Sequence, residues 1–206
     1  MKIGGFQKFS LIDYPDKISC IVFTQGCNFR CFYCHNPELV YPHLFGIPLG
    51  EEEIFDFLER RQKQLEAIVI TGGEPTIQED LVSFLDRVKT LSYAVKLDTN
   101  GSNPFVIKEL IKRKLIDYIA MDIKAPLERY EALTKVKVDL RRIEESINII
   151  ENSFLEYEFR TTYIPSFLTF KDLSKILSLI KNKNRFKLQK FIFREEKQFL
   201  LSQSYI

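Results

Sequence analysis

No run of the sequence approaches the roughly 18 consecutive apolar residues that a membrane-spanning helix requires, and Met1–Lys17 has no apolar stretch of signal-peptide type. The expectation is a cytoplasmic protein with no membrane partner. Neither sign of charge is in excess. Thirty lysines and arginines against 28 aspartates and glutamates leave a formal net charge of +2, too little for a chain-wide field that would gather nucleic acid. Internal repeats, low-complexity tracts and Pro/Gly/Ser linkers are missing as well, so the 206 residues read as one domain, 1–206, with its core at about 18–192. With 45% hydrophobic and 28% charged residues, the disordered and fibrous classes are excluded. Cysteine is scarce, and its four copies, at 20, 27, 31 and 34, are too bunched to staple a chain of this length. In a reducing compartment such a set points to metal binding or catalysis instead of disulfides.

What the sequence does contain is a regular alternation. Short β-branched apolar runs at Ile18–Thr24, Ala67–Thr71, Ala94–Asp98, Tyr118–Ile123, Glu158–Ile164 and Phe186–Ile192 read as strands. Between them, Glu51–Lys63, Glu79–Lys89, Pro104–Lys114, Leu140–Asn152 and Lys171–Lys181 carry apolar residues at helical spacing, as in Leu81, Phe84, Leu85 and Val88. Strand, helix, strand is the order of a parallel α/β sheet. A complete (β/α) barrel has eight such units in about 250 residues, so an incomplete (β/α)6 TIM-like barrel fits this length, with a flat doubly wound sheet as its rival. In both, functional residues belong at the carboxyl ends of the strands. The segment Leu39–Gly50, rich in proline and glycine, reads as an extended loop.

The chemistry concentrates directly after the first of these strands. Cys27, Cys31 and Cys34 form C-x-x-x-C-x-x-C on one loop. Three thiolates there can hold three irons of a four-iron, four-sulfur cluster, which usually takes four cysteines, and the remaining iron is left open to a substrate. A zinc site completed by His35 is the alternative, although neighbouring Cys34 and His35 suit one tetrahedron poorly. His35 and His43 are the only histidines, and neither has a partner nearby in sequence. Cys20 alternates with Ile18 and Val22 and reads as a core thiol. Thr71-Gly-Gly-Glu-Pro75 ends the second strand. Gly72 and Gly73 let the backbone approach a ligand, and Glu74 offers a carboxylate to an ammonium group, unless the segment is simply a turn. Asp98-Thr-Asn-Gly101 and Asp122-Ile-Lys124 end the next two strands, where a capped turn and a local ion pair are the plain readings. Arg160 is suited to clamping a carboxylate, or to pairing with Glu158.

The trio with Tyr33 before its third cysteine resembles the radical S-adenosylmethionine (SAM) enzymes. The stretch Phe23-Thr-Gln-Gly-Cys-Asn-Phe-Arg-Cys-Phe-Tyr-Cys-His-Asn-Pro-Glu-Leu39 and the opening Gly4-Gly-Phe-Gln-Lys-Phe-Ser-Leu-Ile-Asp-Tyr-Pro15 are similar to activases of glycyl radical enzymes. Among these, the activating proteins of anaerobic ribonucleotide reductase and of pyruvate formate-lyase are most alike. The resemblance implies a 4Fe-4S cluster on Cys27, Cys31 and Cys34, reduced by a flavodoxin or ferredoxin. It implies cleavage of SAM to methionine and a 5′-deoxyadenosyl radical, which takes hydrogen from a glycine Cα of the partner enzyme. By the same resemblance Gly72, Gly73 and Glu74 hold the SAM amino group, and Tyr33 packs near the adenine. Asp98, Asn100, Asp122 and Lys124 contact ribose or sulfonium, and Arg160 lies near the SAM carboxylate. A monovalent cation on Asp98, Thr99, Asp122 and the Ala120 carbonyl is implied too. Anaerobic ribonucleotide reductase is the favoured partner.

Two departures stand out. Asp16 replaces a frequent glycine, which a type I turn tolerates, and the sixth strand lacks the histidine that pyruvate formate-lyase activases place on the ligand. With only Cys20 outside the trio, a second cluster is excluded. A small-molecule radical SAM enzyme, such as a 7-carboxy-7-deazaguanine synthase-like catalyst, and a non-catalytic iron-sulfur or zinc protein are the competing readings. Seven basic residues and one acid between Lys171 and Lys190 suggest a solvated face or a docking surface for an acidic partner.

Overall fold

The computed structural model describes residues 1–192; residues 193–206, which the single-domain expectation includes, lie outside the described residues. Seven strands form one sheet in sequential order: β1 (Ile3–Ser10), β2 (Ser19–Thr24), β3 (Ala67–Gly72), β4 (Ala94–Thr99), β5 (Tyr118–Asp122), β6 (Glu156–Tyr163) and β7 (Phe186–Lys190). From β2 to β7 every pair is parallel, whereas β1 runs antiparallel to β2. The six expected strands are therefore present as a partial TIM-like barrel, with one antiparallel strand added at its edge. Sequential order with no strand skipped keeps all crossovers on one face, which is what curls a sheet into a barrel.

Alternation along the strands separates two cores. Cys20, Val22, Ile68, Ile70, Val95, Leu97, Ile119, Met121 and Phe159 face outward into the large cluster shared with the helices. Facing inward, Ile21, Ala67, Val69, Tyr118 and Ala120 make a small inner cluster, closed at the lower end by Tyr14, whose ring lies 5.8 Å from that of Tyr118. Small side chains at Ala67 and Ala120 suit a narrow lumen. Higher up, the inner face changes to Lys96, Asp98, Asp122, Glu158 and Arg160. Burial pushes the Cys20 thiol up to about 12, in keeping with an inert core position.

The helices cover the outer face. Helix α1 (Glu51–Arg61) opens with Glu51, Glu52 and Glu53 and closes with Arg60 and Arg61, charges that complement its dipole. It buries Ile54, Phe55 and Leu58, and α2 (Leu81–Thr90) buries Leu81, Phe84, Leu85 and Val88. Proline at the first turn starts α3 (Pro104–Lys112). A short α4 (Tyr130–Thr134), too brief to show a helical period, precedes α5 (Leu140–Glu151). The segment Leu39–Gly50 is more structured than expected. One 3-10 turn, Pro37–Leu39, leads into it, and it holds a second, Pro42–Leu44, and a bridge from Leu49 to Ile3. Asp16 departs from the type I expectation, since its φ of 59° is left-handed, a region that aspartate and asparagine enter more readily than other non-glycine residues. Among the described residues no helix is long and apolar enough to cross a membrane.

Helix α6 (Phe170–Ser178) starts with a capping box between Thr169 and Asp172. Hydrogen bonds from the Thr169 backbone and hydroxyl, and then Arg129, hold the Asp172 carboxyl below its ordinary 3.8. A depressed carboxyl contributes stability above its unfolded value, and that stability is lost as the pH falls. Asp172→Asn is therefore expected to lower the thermal midpoint near neutral pH, with the gap to wild type closing below 3.8. A pH-independent gap in a melting series would contradict it.

Candidate active site

The cysteine loop leaves β2 at the barrel mouth and is anchored along its length. Gly26, at φ 99°, donates its N–H to the Leu39 carbonyl at 2.7 Å. The Arg30 guanidinium donates to the carbonyls of Cys27 at 2.5 Å and Phe29 at 2.8 Å, and the Arg30 N–H reaches the Thr134 carbonyl at 2.8 Å. Asn28 links the loop to the end of β4: its amide donates to Ser102 Oγ at 2.7 Å and its oxygen accepts from Asn100 at 2.9 Å. His35 meets the Ile192 carbonyl at 3.0 Å and stacks on Phe191, tying the loop to the far side of the barrel.

A cavity of about 210 Å3 opens beneath this loop. Its walls bring together Cys27, Cys31, Tyr33, Cys34, Gly72, Gly73, Glu74, Asp98, Thr99, Asn100, Asp122, Lys124 and Arg160. Of the expected site residues only Ala120 is left out, buried in mid-strand and paired with Asp98 and Glu158. Phe29, His35, Asn36, Val40, Thr71, Thr162 and Gln189 also line the cavity. No local pattern marked Thr162 or Gln189, because their membership depends on the curl of β6 and β7. From β7, which lacks the histidine of pyruvate formate-lyase activases, the residue that lines the cavity is Gln189.

The Gly72–Gly73 pair also has a cause within the chain itself. A Cβ on Gly72, at φ 115°, would lie 2.3 Å from the Thr24 nitrogen, and one on Gly73 would lie 1.9 Å from the Gly26 carbonyl oxygen. On this side the backbone that approaches so closely is that of the β2 end and the cysteine loop. Gly73 N–H donates to Thr24 O at 2.9 Å and Glu74 N–H to Gly26 O at 2.8 Å, so the pair fastens the cysteine loop to β3.

Glu74 is fully buried, and its carboxylate accepts four hydrogen bonds. Three come to Oε1, from the Thr76 N–H at 3.0 Å, the Thr76 hydroxyl at 2.6 Å and the Thr99 hydroxyl at 2.7 Å. The fourth, from Asn100 N–H at 2.7 Å, goes to Oε2, which keeps one acceptor direction free. Burial raises the Glu74 carboxyl pKa, and the hydrogen bonds from Thr76, Asn100 and Thr99 work against that rise. Glu74→Gln places an amide against these donors and is expected to cost about 2 kcal/mol, read as a lower denaturation midpoint of the apoprotein. An unchanged midpoint would show that the four contacts do not hold the β3 and β4 ends together.

Below Glu74 runs an alternating chain of charge. Lys96 Nζ meets Asp98 Oδ1 at 2.7 Å, and Arg160 Nη1 meets Asp98 Oδ2 at 3.1 Å. Arg160 Nε meets Asp122 Oδ1 at 2.8 Å, and Lys124 Nζ meets Asp122 Oδ2 at 2.8 Å. Burial opposes ionisation of Asp122, but the neighbouring Arg160 and Lys124 charges outweigh it and hold the carboxyl well below the usual range. Lys96 is the member that the sequence reading missed, although a lone lysine in the apolar run Ala94–Asp98 was a visible signal.

The donor set suits an iron-sulfur cluster and a bound ligand. Burial, then the Glu74 charge, pushes the Cys27 thiol up to about 12, and burial raises Cys31. Such thiols become thiolates when a metal supplies positive charge. Tyr33 lines the cavity, and its hydroxyl is buried with no hydrogen-bond partner among the described residues. The residues do not fit the monovalent cation. Every oxygen of Asp98 and Asp122 already accepts from a cationic nitrogen, the Thr99 hydroxyl donates to Glu74 and accepts from Gly101 N–H, and Ala120 is not among the residues lining the cavity.

Fold and site together define a partial (β/α) barrel with a three-cysteine loop across its mouth. The chain belongs to the radical SAM superfamily, whose profile matches residues 21–180, and it is an enzyme. A protein of Methanocaldococcus jannaschii that bears the name of a glycyl-radical enzyme activating enzyme is 39% identical over 197 residues, 92% of this chain and 79% of its own length. The pyruvate formate-lyase-activating enzyme of Clostridium pasteurianum is 29% identical over 189 residues, covering 88% of this chain and 76% of its own. Among solved structures, TYW1 with a bound lysine-pyruvate adduct matches with a TM-score of 0.61 at 16% identity, over 87% of this chain and 67% of that one. That likeness shows the shared fold.

Proposed function

We propose that the chain is an activase that generates a glycyl radical on a partner enzyme, using a 4Fe-4S cluster on Cys27, Cys31 and Cys34 and SAM bound beside it. The observation that carries this reading is the convergence of the three cysteines with the ends of β3, β4, β5 and β6 on one cavity. When bound, cluster and SAM supply one-electron reductive cleavage and removal of a hydrogen atom from a glycine Cα. The work of the chain itself is binding, orientation and exclusion of water. Glu74 Oε2, with its free acceptor direction, and the Gly72–Gly73 backbone receive the SAM amino group. Asn100, Lys124 and the N–H groups of Arg160 that remain beyond its two aspartates face carboxylate and ribose oxygens, and Tyr33 lies against the adenine. Asp98 and Asp122 are locked in ion pairs and serve no acid or base step, as expected for chemistry that depends on orientation.

The names of the relatives support a glycyl radical enzyme as partner. Within that class we favour anaerobic ribonucleoside-triphosphate reductase, on the resemblance of the opening segment and of His35-Asn-Pro-Glu38, with a flavodoxin or ferredoxin as electron donor. Strands β1 and β7 stand at opposite ends of the sheet order, so the barrel is open along that side among the described residues, leaving room for a protein loop. The test is anaerobic. The cluster is reconstituted, dithionite and SAM are added, and 5′-deoxyadenosine is quantified with and without candidate glycyl radical enzymes while the glycyl signal is followed by electron paramagnetic resonance. Cleavage coupled to a glycyl signal in the reductase is the expected result. A signal only in pyruvate formate-lyase would change the partner. Cleavage with no partner responding would replace this reading with a small-molecule one, and no cluster and no cleavage would overturn it.

A further inference from the structure

We propose that the Arg160 guanidinium is the resident cation of this barrel, occupying the place between Asp98 and Asp122 that a monovalent metal ion would need, so that the protein requires neither sodium nor potassium there. The geometry is that of an internal bridge. Two nitrogens of the guanidinium, on different sides of its planar fork, reach the two carboxylates, Nε on Asp122 at 2.8 Å and Nη1 on Asp98 at 3.1 Å. The opposite oxygens are taken by Lys124 and Lys96, each at close range. A hard cation binds through oxygens that carry unanswered negative charge, and none of these four does.

The charge count leads to the same conclusion. Lys96, Lys124 and Arg160 set three positive charges against the two of Asp98 and Asp122. Glu158, 3.8 Å from Arg160, is itself met by Lys187 at 2.5 Å and adds no surplus of negative charge. Glu74, which reaches the group through the Thr99 hydroxyl at 2.7 Å, brings the count to balance, so no negative surplus is left to hold a further cation. Burial works against the charge on Arg160, but Asp122 and Asp98 overcome it and raise its pKa. A guanidinium does not deprotonate at working pH, and its planar fork spans two carboxylates. Being covalently attached, it is present at any ion concentration.

The test uses the full chain without cluster or SAM, so its outcome is separable from that of the proposed activity. Thermal midpoints of wild type are compared in sodium, potassium and choline chloride at equal ionic strength, together with sodium-23 line widths. A ligand that does not bind the native state cannot move the midpoint, so differences below about 1 °C are expected. A saturable rise with sodium or potassium that choline does not share would overturn the inference. Arg160→Met removes one positive charge and leaves the two aspartates facing each other. In that variant sodium or potassium is expected to raise the midpoint by about 3 °C or more over choline, with sodium-23 broadening that wild type lacks. A folded variant indifferent to the ions would show that the guanidinium does not stand in a cation's place. Should the variant fail to fold, the wild-type comparison alone decides.

Discussion

Replacing Cys31 by alanine is expected to abolish reductive SAM cleavage while leaving the barrel intact. Cys31 lies on the loop that spans the barrel mouth and lines the cavity, partly exposed and outside every strand and helix. It packs only at the margin of the core and is partly exposed, so the apoprotein should lose no more than about 1 kcal/mol of stability. Two remaining thiolates cannot hold a cluster that takes its protein ligands from three cysteines on one loop. Iron and sulfide content should fall to background, and 5′-deoxyadenosine formation should drop by at least about 10³-fold, equivalent to about 4 kcal/mol in activation free energy. Cys20→Ala is the control. Its sulfur is buried among core side chains, so the substitution should lower stability slightly and leave iron content unchanged. A Cys31→Ala protein that still cleaves SAM would refute the cluster assignment, whatever its stability.

The second large effect is expected at Gly73. An alanine Cβ there would stand 1.9 Å from the Gly26 oxygen, 2.6 Å from its carbonyl carbon and 3.1 Å from the Leu39 oxygen. All three are backbone atoms, which cannot swing aside as a side chain does. Relief requires the cysteine loop to move away from β3, breaking the bond from Glu74 N–H to Gly26 O and disturbing that from Gly26 N–H to Leu39 O. Gly73→Ala should therefore destabilise the apoprotein by about 3 kcal/mol or more, roughly 6–12 °C in melting temperature for a chain of this size. Cluster uptake should fall with it, since Cys27 follows Gly26 directly. Gly46→Ala and Gly50→Ala, where a Cβ meets nothing within 4 Å, should change stability by less than about 0.5 kcal/mol. If Gly73→Ala behaved like these two, the close packing of loop on strand would be wrong.

Particular elements show where sequence reading reached and where it stopped. The six parallel strands were legible because apolar runs of strand length recur between helical periods, and their ends differ from expectation by a residue or two at most. β1 was not legible. Its burial is confined largely to Ile3 and Ser10, with exposed Gln7, Lys8 and Phe9 between, so it has no period; pairing with the edge of β2 makes it a strand. Short α4 escaped for want of length. The basic stretch from Lys171 to Lys190 is divided by the structure, which pairs Lys175 with Glu128, Arg185 with Glu156 and Lys187 with Glu158. Lys171, Lys181, Lys183 and Lys190 are exposed.

By itself the sequence determined the alternation of strand and helix and the three-cysteine loop after the first parallel strand. It also placed glycines and acids at strand ends. Each of these is a local property, written in spacing over fewer than about 15 residues. Only the tertiary structure decided what those residues do to one another. The distance from Gly73 to Gly26 depends on how tightly β2 and β3 pair, and the four donors around Glu74 come from two different strand ends. Arg160 reaches Asp98 across β5 because the sheet curls, bringing residues 62 positions apart to 3.1 Å. Curvature and close backbone approach are sums over the whole sheet, and no segment of the chain carries them alone.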